Sequence, residues 1–343
     1  MLLLQACNLY NPASKINIAD TYKLAEKELN PNYSFFHYKK DSSSLYVKQA
    51  RKDLEYDDKL TAQIKLKWVI LSDYESNKII DSASTIIYDT LDGTQGNYLE
   101  HIQHIELAPG NDYVIKTIFT DIHQEVKKEV FHTIKKENAY QRGFFEIRQN
   151  EKHQYRSLIR PNDTIEIHYN FSDKLIVRYF DKTFEPPRPP YLNARSYKNM
   201  YNPDSTFSIP LNDDQKKRLH LPAEGIYHIQ ADTSQPAGLT LFNFGSSYPL
   251  ITNHNDMIGP LRYIATENEY KKLINTQNSK KAIDEFWINR SGNPERARIL
   301  IRDYYSRVER ANKLFYTQRP GWKTDRGMVY IVLGTPKIVY RSN

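Results

Sequence analysis

The chain has 343 residues, of which 48 are basic and 41 acidic, for a formal net charge of +7. Such a length divides into two or three domains of about 100 residues each. The charges are interspersed, as in Lys65-Leu66-Lys67 and Lys127-Lys128-Glu129, which suits a solvated surface and no nucleic-acid partner; no apolar run approaches the roughly 20 residues of a membrane-spanning helix.

The first segment, 1–29, holds the only cysteine, Cys7, preceded by Leu2-Leu3-Leu4-Gln5-Ala6. A lone cysteine excludes an intramolecular disulfide. The run resembles a bacterial lipobox, in which a small residue precedes a cysteine that is cleaved before and diacylated. A full secretion signal has a basic stretch and an apolar stretch of about 7 to 15 residues ahead of the cleavage site, so the expectation is a clipped start. After Cys7, Tyr22, Ala25 and Leu29 recur at helical spacing, which predicts a spacer helix over 19–29.

From residue 30 to 149 the dominant period is two. Ile64, Leu66, Trp68 and Ile70 alternate with Lys65, Lys67 and Val69, and Tyr113, Ile115, Thr117 and Phe119 alternate with Val114, Lys116 and Ile118. These are half-buried strands. Shorter runs at 45–47, 85–88 and 144–147 are separated by Asp, Gly, Asn and Ser turns, and the spacing predicts a first antiparallel sandwich. The 26 tyrosines lean the same way, since tyrosine suits half-buried strand surfaces.

A second set occupies 150–255, with Ile165, Ile167, Tyr169 and Phe171 on one face, then runs at 175–180, 206–209, 226–230 and 239–244. The run Glu185-Pro186-Pro187-Arg188-Pro189-Pro190 reads as an extended loop or edge segment. Asp213-Asp214 reads as a helix start before Gln215-Lys216-Lys217-Arg218. The two sets share an echo: Pro109-Gly110 precedes Tyr113, and Pro222 and Gly225 precede Tyr227, 227 − 113 = 114 residues later. In immunoglobulin-like sandwiches a tyrosine at such a corner bonds back to the backbone. Tandem immunoglobulin-like sandwiches are therefore expected.

Over 256–343 the period changes to 3.6. Thr266 and Glu269 have capping-box spacing, a short helix follows over 280–288, and Asn293-Pro294-Glu295 opens a third. Its apolar face is Ala297, Leu300, Ile301, Tyr304, Val308, Ala311, Leu314 and Phe315, and its other side carries Arg296, Arg298, Arg302, Arg307 and Arg310 with Asp303 and Glu309, read as a solvated, salt-bridged face. Next comes Gly321-Trp322-Lys323-Thr324-Asp325-Arg326-Gly327, which reads as a helix-to-strand corner: Trp322 seals the core, and Thr324 and Asp325 satisfy turn amides. Residues 328–333 read as a strand, and with 337–340 as a short β ribbon whose sheet partners lie past Asn343.

This block, with Arg302-Asp303-Tyr304-Tyr305 before it and Met328-Val329-Tyr330-Ile331 after it, resembles the GWxTD-domain family. The resemblance implies an envelope lipoprotein of Bacteroidota-type bacteria, truncated at both ends, in a family with no settled activity. Gly321, Trp322, Thr324, Asp325 and Gly327 are then structural motif residues, and the lipid on Cys7 is the link to the outer membrane, on its periplasmic or cell-surface face.

Catalytic patterns are missing. His101 and His104 fall on opposite faces of a strand, which argues against a metal site, and no nucleophile elbow or phosphate loop is present. The expectation is a non-enzyme without cofactor or metal, a scaffold that binds another envelope protein. The alternatives are a glycan-binding protein, marked by exposed aromatics along one sandwich edge, and a hydrolase with two carboxylates in an interdomain cleft.

Overall fold

A computed structural model describes residues 29–74, 78–94, 96–181 and 202–334. It is mainly β, with sixteen strands and five α-helices among these residues. The chain forms two compact units: the described residues up to 35 together with 43–136, and 36–42 together with the described residues from 137 onward. The expected helix over 19–29 and the proline-rich run lie outside the described residues, apart from Leu29.

The first unit is built on the period-two pattern. Its strands are β1 (Asn32–Phe36), β2 (Ser42–Ala50), β3 (Thr61–Leu71), β4 (Ile79–Thr90), β5 (Tyr98–Glu106), β6 (Asp112–Asp121) and β7 (Val126–Lys135). One sheet has the order β1-β2-β5 and the other β4-β3-β6-β7. Ile64, Leu66, Trp68 and Ile70 of β3 and Tyr113, Ile115 and Phe119 of β6 meet Leu45, Val47, Leu99 and Ile105 of the facing sheet in one core. Lys65 and Lys67 point outward because successive strand residues alternate sides.

The second unit repeats this layering in β8 (Glu146–Gln149), β9 (Lys152–His153), β10 (Leu158–Ile159), β11 (Thr164–His168), β12 (Lys174–Phe180), β13 (Ser205–Pro210), β14 (Lys216–His220), β15 (Gly225–Gln230) and β16 (Leu239–Asn243). The sheets run β14-β11-β8-β9 and β10-β16-β15-β12-β13, with Ile147, Ile165, Ile167, Val177, Ile229 and Leu241 in the shared core. The short β10 pairs parallel to β16, and the remaining pairs of these two sheets are antiparallel. Asp213-Asp214 does not start a helix: Asn212 and Gln215 close a tight turn, with Gln215 N–H donating to Asn212 O at 2.8 Å, and residues 216–220 continue as β14. The run Lys216-Lys217-Arg218 hides the strand because only Leu219 reaches the core.

The paired tyrosines do what their positions predict. Tyr113, second residue of β6, donates its hydroxyl to Ala108 O at 2.9 Å, and Tyr227, near the start of β15, donates to Ala223 O at 2.8 Å. Each ring is buried, so the bond removes the cost of an unpaired hydroxyl and fixes the loop that delivers the strand.

Past β16 the same unit becomes helical: α1 (His254–Ile258), α2 (Glu267–Ile274), α3 (Ser279–Ser291), α4 (Pro294–Phe315) and α5 (Asp325–Leu333). The Thr266–Glu269 capping box and the Asn293 cap with Pro294 in the first turn both form. On α4 the buried side is rotated from the apolar reading: Tyr305 and Asn312 are buried, whereas Leu314 is 57% exposed. The run 328–333 is helix, not strand. Thr324 caps it, and Gly327, Tyr330 and Ile331 are buried at helical spacing against α4. Contact with that amphipathic neighbour outweighs the strand preference of Val329, Ile331 and Val332. The second half of the expected ribbon, 337–340, lies outside the described residues.

Two outcomes follow from these contacts. Tyr113→Phe and Tyr227→Phe should each cost about 1 kcal/mol, read as a lowered urea midpoint confined to the unit that carries the change. His132 sits edge-on to Tyr33 and Phe35, its Nε2 2.9 Å from the Thr117 hydroxyl, and burial pushes its pKa down from 6.5 to about 4. The unfolded chain therefore binds the proton more readily between those values, so the contribution is complete above pH 6.5 and shrinks as pH falls toward 4. Protection factors of β6 and β7 amides, taken relative to the intrinsic exchange rate at each pH, should fall on acidification through that window, and less so in His132→Gln.

Candidate functional site

The Gly321–Gly327 block turns the chain from α4 into α5, and glycine is required at both ends of it. Gly321 is pressed on the last turns of α4, where an added Cβ would lie 2.6 Å from Asn312 Cα and collide with Ala311 O. At Gly327 an added Cβ would collide with Gly321 O and stand 2.8 Å from Gly321 C. The two glycines thus abut, and no larger residue fits at either place.

Between them, Thr324 works twice. Its hydroxyl donates to Gly321 O at 2.7 Å and accepts from Gly327 N–H at 3.0 Å, closing the 3₁₀ turn Gly321–Lys323 and capping α5. Asp325 occupies the first turn of α5, where a negative charge suits the helix dipole. Trp322 lies against Gly259, whose missing side chain makes room for the indole, and its carbonyl accepts from the Tyr263 hydroxyl at 2.7 Å. The block is a helix-to-helix corner, with Trp322 and Thr324 in the sealing and bonding roles the residue types suggest.

What anchors it is a buried polar node that sequence reasoning missed. Asn312, 1% exposed, accepts from Trp322 N–H at 3.0 Å and donates through Nδ2 to Pro249 O at 3.1 Å. The Tyr248 hydroxyl donates to Asn312 O at 2.7 Å and accepts from Gly321 N–H at 3.2 Å, and burial drives its pKa above the ordinary tyrosine value. One asparagine and one tyrosine so join α4, the segment after β16 and the motif. The signal was a polar residue on the buried side of an amphipathic helix.

Beside this node opens a cleft of about 260 Å³. Phe244, Tyr248, Leu250, Ile251, Pro320 and Trp322 form its apolar wall, and Asn255, Asp256 and Lys323 its polar one. Lys323 Nζ stands 5.3 Å from the centre of the Trp322 ring. Partial burial, with repulsion from Arg319 added, holds its pKa below the usual lysine value.

A second group of ionisable residues lies on the outer face of the sheet β14-β11-β8-β9. Glu146, 1% exposed, is 3.0 Å from Arg148 Nε and 3.3 Å from His153 Nδ1, and His168 bridges it to Glu166 at 3.5 and 2.6 Å. Glu166 also pairs with Arg218 at 3.3 Å. His168 and Arg218 hold the Glu166 carboxyl below its ordinary pKa. That is the reverse of what the acid of a glycosidase pair needs, and the group reads as an ion network.

His101 and His104 fall on opposite faces of β5, as a strand requires. Among the described residues no cluster of three or more His, Cys, Asp and Glu is placed to hold a metal. Cys7 lies outside the described residues. On α4, Arg307 reaches Ile331 O at 3.4 Å and Glu309 accepts from Ile251 N–H at 3.0 Å, so part of the charged side is engaged in packing.

Residues 225–343 match the family model of the GWxTD domain, so the matched region begins in β15. No curated protein matches the chain. Among solved structures, a calcium-binding mutant of Bacteroides uniformis β-glucuronidase 2 aligns at 11% identity and TM-score 0.22, over 35% of this chain and 14% of that one. A biofilm-associated protein, BSP domain, aligns at 7% identity and TM-score 0.19, over 64% of this chain and 52% of that one. The chain spans little of the first and about half of the second, and likenesses this faint carry no argument.

Replacing Asn312 by alanine leaves the half-buried Trp322 N–H and Pro249 O without their partner and should cost about 2–4 kcal/mol. Lys313→Ala, one residue along and exposed, should stay within about 0.5 kcal/mol, the two being compared by chemical unfolding of the full chain.

Proposed function

We propose that this chain, which carries a GWxTD domain over residues 225–343, is a non-catalytic envelope module that recruits a protein partner by strand addition along β4. The observation that carries the reading is the contrast between the two edges of one sheet. Edge strand β7 is guarded by Lys127, Lys128, Glu129 and Lys135, the usual protection against unwanted pairing. Edge strand β4 is twelve residues long and bears no lysine, arginine or proline; Asp81 is its only exposed charge. Ile79, Ile80, Ile86 and Tyr88 along it are 58%, 51%, 49% and 64% exposed. Among the described residues no strand pairs with the outer side of β4, and a ladder edge of this kind with apolar side chains is the surface that an extended segment of another protein completes, the backbone supplying affinity and the side chains selectivity.

Two facing sheets in each unit, of three and four strands in the first and four and five in the second, and a tyrosine corner in each support reading both as immunoglobulin-like sandwiches. A protein partner is favoured over a glycan because the exposed aromatics among the described residues are spread over several elements: Tyr88 is on β4, Tyr98 on β5 of the other sheet and Phe207 on β13, and the one pair, Tyr74 with Phe131 of β7, has its ring centres 6.0 Å apart. The lone Cys7 after Leu2-Leu3-Leu4-Gln5-Ala6 supports a lipid anchor in the outer membrane.

Crosslinking and pull-down of the lipidated protein from membranes should recover one stoichiometric envelope partner, and Ile86→Lys with Tyr88→Lys should abolish that recovery without altering the circular dichroism spectrum. Cys7→Ala should lose acyl labelling and leave the membrane fraction. Unchanged recovery from the edge variant, or retention of sugars alone, would overturn the reading.

A further inference from the structure

The cleft beside Trp322 combines three properties that no fold requirement explains. Its volume of about 260 Å³ is below the roughly 300–1,000 Å³ of sites for drug-sized molecules, so it holds one side chain and its backbone. Its wall is apolar and aromatic on one side, and Leu250 is left 44% exposed at its mouth. On the other side is a half-buried lysine that forms no ion pair among the described residues and is repelled by Arg319. Asp256, the acid in the lining, is engaged at the start of α1: its carboxylate accepts from Asn253 Nδ2 at 2.5 Å, and its backbone N–H donates to Asn253 Oδ1 at 2.9 Å. A desolvated ammonium of this kind is stabilised by an incoming anion, and the apolar wall requires that the anion sit on an apolar group.

We propose that this cleft binds the free C-terminal residue of a polypeptide, its carboxylate paired with Lys323 and its apolar side chain laid against Trp322, Tyr248 and Phe244. A terminal residue supplies carboxylate and side chain on adjacent atoms, and its preceding amide faces the polar wall of Asn255 and Asp256. A neutral sugar ring would stack on Trp322 but leave the lysine without a counter-charge. The site is separate from the β4 edge and does not rest on strand addition.

The test is fluorescence anisotropy of a labelled short peptide ending in phenylalanine with a free carboxylate, against the same peptide amidated, with methyl glucoside as a third probe, on the full chain. Saturable binding of the acid, weakened about tenfold or more by amidation and by Lys323→Gln and largely kept by Lys323→Arg, is the expected result, since a charge-assisted bond is lost in the first two cases and retained in the third. Unfolding midpoints establish that the variants are folded, and Ile86→Lys should bind like the parent. Equal binding of acid and amide, equal binding by Lys323→Gln, binding of the glucoside alone, or no binding would overturn the proposal.

Discussion

Burying a tyrosine ring costs least when its hydroxyl finds an acceptor, and for seven tyrosines of this chain the acceptor is a backbone carbonyl in a loop, a turn or a helix. Tyr113, Tyr169 and Tyr227 donate to Ala108, Ala139 and Ala223 in the sandwiches. Tyr248, Tyr263, Tyr304 and Tyr305 donate to Asn312, Trp322, Pro260 and Met257 in the helical region. The bonds to Ala108, Ala139 and Ala223 tie loops, and those to Asn312 and Met257 tie helices, to rings that hydrophobic burial already holds in place. The abundance of tyrosine is thus an architectural device, and the same chemistry serves strands and helices.

The C-terminal region shows how much depends on a few such bonds. α4 supplies the long surface, but the motif is held to it through Asn312 and Tyr248, which also fasten the segment leaving β16. Phe244 packs edge-on to Tyr248, and Phe242 to Tyr316 just past α4. The helices are therefore tied to the sandwich they follow, in keeping with a family match that begins in β15. The cleft is a by-product of this joint: its walls come from the strand exit, the first helix and the motif, and Lys323 is carried to it by the turn that Gly321 and Thr324 fix.

Much of this could be read in the sequence where pattern and environment agree. The alternation along β3 and β6, the capping box at Thr266 and the Asn293-Pro294 start are local signals that packing reinforces. The tyrosine echo was legible because a turn and a strand start recur together. Three features were not. Lys216-Lys217-Arg218 forms a strand because its partner β11 provides a ladder, which the residues alone do not announce. Residues 328–333 carry a strand-like composition yet form α5, because Thr324 starts a helix and α4 offers a groove for Gly327, Tyr330 and Ile331. The node failed for a different reason: a buried Asn312 conflicts with an apolar face, and its role depends on carbonyls and amides that sequence does not display. Of the candidate site, Trp322 and the glycines stood out, whereas Phe244, Leu250 and Asp256 are brought to it only by the fold.

The abutting glycines have a bearing on how this region can change. A side chain on Gly321 would meet the α4 backbone at Ala311 and Asn312, and one on Gly327 would meet the Gly321 carbonyl, so in neither case is the main obstacle a side chain that a second substitution could trim. Under neutral drift or in a combinatorial library both positions should stay frozen together. Arg326, which is exposed, and Lys323, which lines the cleft, are under no such constraint from the backbone, so that new ligand preferences can be sampled on an unchanging hinge.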